Sequence, residues 1–203
     1  MLVSAVLGGA GKCYLASRTP TVTAAMSAVT AMPTAAAMSA AAMSAVAKTA
    51  SSTDLASYFP NISEPGMDLC LAAHNTARAI LKQPALVWDP QLAAQAQGYS
   101  GYLAATNLFQ HSGAPSQGEN LYRGQSSCGA AVLAWFRERT VYRGDAIGTV
   151  WLTLGAGNFE GYGHYTQIVW PTTTRVGCGL VGTTVVCRYT PPGNIAGQKL
   201  SSY

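Results

Sequence analysis

The sequence predicts an α+β chain with helices in its middle and strands near its end. Three observations carry this. Apolar residues recur at helical spacing from Leu69 to Leu81 and again from Leu92 to Leu103. Short runs rich in aromatic and β-branched residues, Tyr165 to Trp170, Arg175 to Val181 and Thr184 to Tyr189, are separated by Gly and Pro. Before all of these, residues 21–64 are dominated by Ala, Ser, Thr and Met, and Ala-Met-Ser-Ala begins at residues 25, 37 and 42. Such small side chains cannot bury enough apolar area to offset chain entropy, so residues 21–64 are expected to form a leader or linker, disordered or weakly helical.

Charge and cysteine content narrow the class. The net charge is +4, but Lys12, Arg18 and Lys48 are the only charged residues before Asp54. The remainder carries nine basic residues against eight acidic ones, which is no footprint for nucleic acid. Cys13, Cys70, Cys128, Cys178 and Cys187 contain no CxxC pair, which excludes zinc-finger and thioredoxin readings. Four of them lie in the later part of the chain, a number compatible with two bridges. Cys13 is left over.

At the start, residues 1–20 hold an apolar run, Leu2 to Ala10, about as long as the core of a secretory signal. The basic residues follow this run instead of preceding it, so the signal segment is atypical. The acid-free stretch behind it also fits a transit peptide, although it is poor in arginine. Stable membrane insertion is not expected, because Ala, Ser and Thr contribute little transfer energy. Asn61-Ile62-Ser63 is a glycosylation sequon that agrees with a secretory route.

The packed domain is expected over residues 65–203. Asp68 is placed to cap the first helix, on which His74 and Arg78 lie four apart with Asn75 beside them. A lone helix histidine next to an arginine is read as structural. Leu86 to Pro90 is a short extended piece, and Asp89-Pro90 opens a second helix, Gln91 to Ala105, with a stripe of Leu92, Ala93, Ala96, Tyr99 and Leu103. Its alanines and Gly98 are expected to let neighbours approach closely. Cys128 opens a third helix, Gly129 to Arg139, burying Val132, Trp135 and Phe136. Val141 to Tyr162 reads as a Gly-rich loop with a short helix. Tyr165 to Trp170 is expected as a strand, with His164, Thr166, Ile168 and Trp170 on one face. Gly182-Thr183 is a type II′ hairpin signal. Counting outward from it sets Cys178 opposite Cys187 as a non-hydrogen-bonded pair, about 4.5 Å apart at Cα and within reach of a bridge.

Gly163-His164-Tyr165-Thr166-Gln167-Ile168-Val169-Trp170, then Val176-Gly177-Cys178-Gly179, then Val185 to Asn194, resemble the two signature motifs of the CAP superfamily. That superfamily includes the cysteine-rich secretory proteins, antigen five and the plant pathogenesis-related one proteins. Thr184 stands where an apolar residue is usual. The His74-Asn75…Arg78 segment, His111-Ser112-Gly113, Gly118-Glu119-Asn120 and Trp135…Glu138 are similar to further motifs of the family.

The resemblance implies an α-β-α sandwich, a mainly antiparallel sheet between helices. It places His111, Glu119, Glu138 and His164 around one cleft, where His111 and His164 would bind a divalent metal, zinc above others. It also implies a secreted, extracellular, defence-related module for a lipid or sterol, with Tyr99, Tyr102 and Phe109 nearby. These aromatics lack the caveolin-binding-like spacing associated with sterols, and aromatics so placed are more often core. With Cys70 and Cys128 at the starts of the first and third helices, a bridge between them is compatible with the fold but not required by it. The alternative is a metal-dependent hydrolase or protease with Glu119 or Glu138 as base. The sequence has no GxSxG elbow, HExxH helix or catalytic thiol, which favours a non-enzymatic role.

Overall fold

The computed structural model describes residues 58–59, 66–67, 69–148 and 159–200. Apart from Tyr58 and Phe59, of which Phe59 is buried in the core, the leader lies outside the described residues, as do Cys13, Asn61, Asp68 and the centre of the Val141–Tyr162 loop.

Helix α1 spans Cys70–Ile80. After the two-residue strand β1, Val87–Trp88, Asp89 caps helix α2, Pro90–Thr106. The cap carboxylate accepts the N–H of Gln91 at 2.9 Å and of Leu92 at 3.1 Å, and Pro90 takes the first helical position, where no donor is needed. Strand β2, Gly118–Arg123, precedes helix α3, Cys128–Arg137, whose first turn is capped by the Ser127 hydroxyl. The helical path continues as a 3-10 turn, Glu138–Thr140. A second 3-10 turn, Phe159–Gly161, leads into helix α4, Gly163–Ile168. Strands β3, Arg175–Val181, and β4, Thr184–Thr190, close the fold.

The sheet order is β1-β3-β4-β2, with β1 parallel to β3 and the other pairs antiparallel. One face packs on α2 through Ala96, Leu103, Leu121 and Val186. The other carries Val176, Cys178, Val185, Cys187 and Tyr189 into a core shared with α1, α3 and α4. This is the expected α-β-α sandwich.

The glycines of β3 set the spacing on the α2 face. A Cβ on Gly177 would lie 2.2 Å from the backbone nitrogen of Ala93, and one on Gly179 would lie 2.2 Å from Cα of Gln97. Helix and strand backbones touch there, which no side chain on β3 would permit. Gly98, expected to serve this purpose, faces open space instead. Because β1 is so short, the far half of β3 has no strand on its β1 side, and the Gln97 amide takes the N–H and C=O of Leu180 there.

The hairpin register is as expected: Val181 pairs with Thr184 and Cys178 with Cys187. Gly182 has φ +59°, and the second turn residue is not left-handed, as a type II′ turn requires. Cys178–Cys187 is a disulfide with Cα atoms 4.0 Å apart, and Cys70–Cys128 is a second, at 5.1 Å.

The strand expected over Tyr165–Trp170 is a helix. Thr166 turns its hydroxyl to Asn194 while Ile168 enters the core, so the residues assigned to one face diverge. A helix of six residues is not stable by itself, and here distant side chains satisfy both its ends. The Glu138 carboxylate accepts the N–H groups of His164 at 3.1 Å and Tyr165 at 3.2 Å. The Arg78 guanidinium donates to the carbonyls of Ile168 and Trp170, each at 2.9 Å, and of Thr173 at 3.2 Å. An anion at the N-terminus and a cation at the C-terminus both complement the helix dipole. Arg78 is fully buried, and although burial lowers its pKa to about 10 it stays charged at neutral pH.

His74 is structural, as expected. Its Nδ1–H donates to the Cys70 carbonyl at 2.7 Å, which leaves Nε2 to accept the Tyr189 hydroxyl at 2.8 Å. Desolvation lowers its pKa from 6.5 to about 4, against the raising effect of the Cys70 carbonyl.

Arg78→Met should cost about 3 kcal/mol in urea unfolding, because it strands buried carbonyls at the end of α4. His74 supplies a pH signature. Between pH 6.5 and about 4 the unfolded chain binds a proton at His74 that the folded chain refuses, so stability falls as pH drops through that window. The difference between wild type and His74→Gln in pH-dependent unfolding should reach about 3 kcal/mol; parallel curves would refute it.

Candidate functional site

The four site residues predicted from the sequence form two His–Glu pairs. His111 lies in the loop between α2 and β2, and Glu119 is the second residue of β2. The His111 Nδ1 sits 2.9 Å from Glu119 Oε1. Glu119 also accepts the Ser112 N–H at 2.9 Å and the Ser112 hydroxyl at 2.6 Å. Behind it stands Arg188, 3.5 Å from Oε2 and bonded to the Ser112 hydroxyl at 3.1 Å. Burial pushes the Glu119 carboxyl up, but the bonds from His111 and Ser112 outweigh it and hold the group below its ordinary range.

The second pair joins Glu138, which follows α3, to His164 near the start of α4. The His164 Nδ1 lies 2.7 Å from Glu138 Oε1. The imidazole stacks on Trp135 with centroids 5.9 Å apart and planes at 19°. Trp135 is itself fixed by an indole N–H bond to the Leu121 carbonyl at 3.0 Å. Asn120 donates to the His164 carbonyl at 3.1 Å and to the Tyr189 hydroxyl at 3.2 Å, which joins this pair to His74.

Consecutive residues of β2 thus serve the two pairs, Glu119 one and Asn120 the other. The pairs differ in exposure: the His111 side chain is 60% exposed and that of His164 28%, while Glu119 is 8% and Glu138 21% exposed. In both, the carboxylate occupies Nδ1, so that nitrogen carries a proton, and in the neutral ring Nε2 is the one with a lone pair.

No three of these four residues offer ligand atoms mutually within 4.8 Å; among the described residues, only the four bridged cysteines do. As possible ligands the four residues therefore offer at most the two imidazoles, each with a carboxylate already engaged on its Nδ1.

A scan against family models matches residues 71–189 to CAP, the cysteine-rich secretory protein family. The chain belongs to this family. It is 41% identical over 136 residues to pathogenesis-related protein 1C of Nicotiana tabacum, covering 63% of this chain and 76% of that protein. With pathogenesis-related protein 1 of Arabidopsis thaliana the identity is 38% over 135 residues, covering 63% and 77%. Among solved structures, Na-ASP-1 is similar with a TM-score of 0.53 and 24% identity, over 68% of this chain and 43% of that one. Hookworm platelet inhibitor gives 0.50 and 20%, over 67% and 76%. These two likenesses concern the CAP fold.

Sequence reasoning named both histidines and both glutamates of this CAP chain but not Ser112, Arg188 or Trp135 as their supports. A signal for Arg188 was available: it is the one charge inside the apolar strand β4, and a buried charge demands a partner. Tyr102 and Phe109, read as core, are 48% and 52% exposed, with Arg123 lying over the Phe109 ring. No helix among the described residues is long and apolar enough to cross a membrane.

Removing the Glu138 carboxylate should loosen α4 and its histidine together. Glu138→Ala is expected to cost roughly 1–2 kcal/mol, the value of a lost N-cap. It should also change Trp135 fluorescence as the His164 ring leaves its stack. An unchanged emission spectrum would show that the carboxylate does not hold the ring.

Proposed function

We propose that this CAP protein is a secreted, defence-related binding module in which His111 and His164 hold a divalent metal, zinc before others, and whose ligand is a lipid or sterol. The observation that carries the metal reading is that a carboxylate engages Nδ1 of both rings, which leaves each Nε2 as a ligand atom of fixed orientation. Zinc would supply a Lewis-acidic centre there. Glu119 and Glu138 would orient the rings.

The engagement of both carboxylates favours binding over hydrolysis. Glu119 accepts from His111 and twice from Ser112, and Glu138 from the His164 ring and two backbone N–H groups. A general base needs an oxygen free to take a proton from water.

Tyr102, Leu108 and Phe109 support the lipid reading: they leave apolar surface exposed on α2 and the loop that runs to His111. Tyr99 stacks on Tyr102 and donates to the Gln110 carbonyl, which braces that loop. Two buried disulfides support an oxidising, extracellular location.

Calorimetry with zinc should show binding to wild type and none to His111→Ala/His164→Ala. Glu119→Gln/Glu138→Gln should bind about 10 to 100-fold more weakly. Equal, undetectable heats for wild type and the histidine variant would remove the metal. Saturable uptake of radiolabelled sterol or fatty acid should fall in Tyr102→Ser/Phe109→Ser, and its absence from wild type would remove the lipid.

A further inference from the structure

Just beyond the 3-10 turn Glu138–Thr140 the chain reads Tyr142-Arg143-Gly144-Asp145-Ala146-Ile147. The two outer residues are buried and act as anchors. Tyr142 is fully covered, its ring centroid 5.2 Å from that of Tyr162 and 6.1 Å from that of Tyr165. Ile147 enters the core, its N–H donating to the Gln198 carbonyl at 2.7 Å and its carbonyl accepting the Gly197 N–H at 2.8 Å. Between these anchors the chain emerges: Arg143 is exposed, and Gly144 and Asp145 are partly so.

The loop is also closed from within. The Tyr142 hydroxyl donates to the Asp145 carbonyl at 3.0 Å and accepts the Leu200 N–H at 3.2 Å, so one buried phenol fixes both the loop and the tail of the chain. Gly144 has φ +85°, a left-handed conformation that favours glycine, and turns the chain between the two charged residues. The fold does not use those charges. Among the described residues, neither the Arg143 guanidinium nor the Asp145 carboxylate makes a hydrogen bond or an ion pair. Arg78, Arg188, Glu119 and Glu138, by contrast, are all engaged inside the protein.

A cation and an anion on one short anchored loop suit a partner that meets both at once. A carboxylate can complete the coordination of a magnesium ion that its host protein leaves partly open, and a guanidinium pairs with an acidic side chain. Anchoring the loop in advance lowers the ordering cost of such binding. The two disulfides favour an extracellular location, so the partner is one displayed on a cell surface. We propose that Arg143-Gly144-Asp145 is a recognition loop for a cell-surface receptor whose pocket joins a bound divalent cation, which takes the Asp145 carboxylate, to an acidic group, which takes the Arg143 guanidinium. The inference shares the secreted location of the proposed function but neither its metal nor its lipid.

The test passes the full chain over an immobilised integrin ectodomain that binds Arg-Gly-Asp peptides, in magnesium, and reads binding by surface plasmon resonance. The expected result is saturable binding that chelation of the magnesium abolishes and that a soluble Arg-Gly-Asp peptide, but not its Arg-Gly-Glu counterpart, competes away. Arg143→Gln and Asp145→Glu should each weaken binding roughly 30-fold or more, the loss expected when one partner of a desolvated charge pair is removed or displaced. Both variants should keep the circular dichroism and melting temperature of wild type, because neither side chain is bonded within the fold. Tyr142→Phe keeps the tripeptide but opens the loop, and should bind more weakly than wild type. His111→Ala/His164→Ala should bind as wild type does, which separates this site from the imidazole pairs. Absence of binding, binding that survives chelation, or equal binding by Asp145→Glu would overturn the proposal.

Discussion

Helix α4 exists because two side chains far from it in sequence close its ends. Glu138 receives its first N–H groups, and Arg78 takes its last carbonyl, that of Ile168, with that of Trp170 just beyond, so a six-residue segment is closed at both ends. Much of the candidate site follows from this. The turn of α4 brings His164 onto Trp135 and its Nδ1 onto the same carboxylate that caps the helix. Glu138 serves both purposes, so ring orientation and helix formation cannot be separated.

The hairpin register is the second constraint. With Val181 opposite Thr184, even one residue of slip would exchange the two faces of β4. Tyr189 would leave His74 and Asn120, Arg188 would leave Glu119 and Ser112, and the cysteines would no longer face one another. The glycines of β3 fix that strand's own faces in the same way, since Gly177 and Gly179 lie against the backbone of α2. Opposite faces of one strand thus support the two His–Glu pairs: Tyr189 reaches His164 through Asn120, and Arg188 stands behind Glu119.

The pairs have similar geometry but different surroundings. Glu119 is buried against a guanidinium, while its histidine is mostly in solvent. Glu138 is partly exposed and its histidine half-covered by an indole. The His111 ring is held by its carboxylate alone, whereas the His164 ring is also stacked on an indole.

Much of this was legible in the linear sequence. Helix periodicity located α1, α2 and α3, and Asp89-Pro90 marked the start of α2 because a cap acts within one turn. The Gly182-Thr183 turn dictated the register and with it one disulfide, since a two-residue loop leaves the flanking strands no freedom to slide. The motif residues named both site pairs. Tertiary structure decided what depended on distant charge and on shared edges. Tyr165 to Ile168 has the composition of a strand and became a helix, because Glu138 and Arg78 rewarded that form more than local preference opposed it. β2 went unrecognised because Gly118-Glu119-Asn120 lacks a strand's composition and gains its ladder only by pairing with β4. Turns and caps are closed by neighbours in the chain and can be read from them. A buried charge or a sheet edge is satisfied by whatever the folded chain brings near, and only the folded chain reveals that partner.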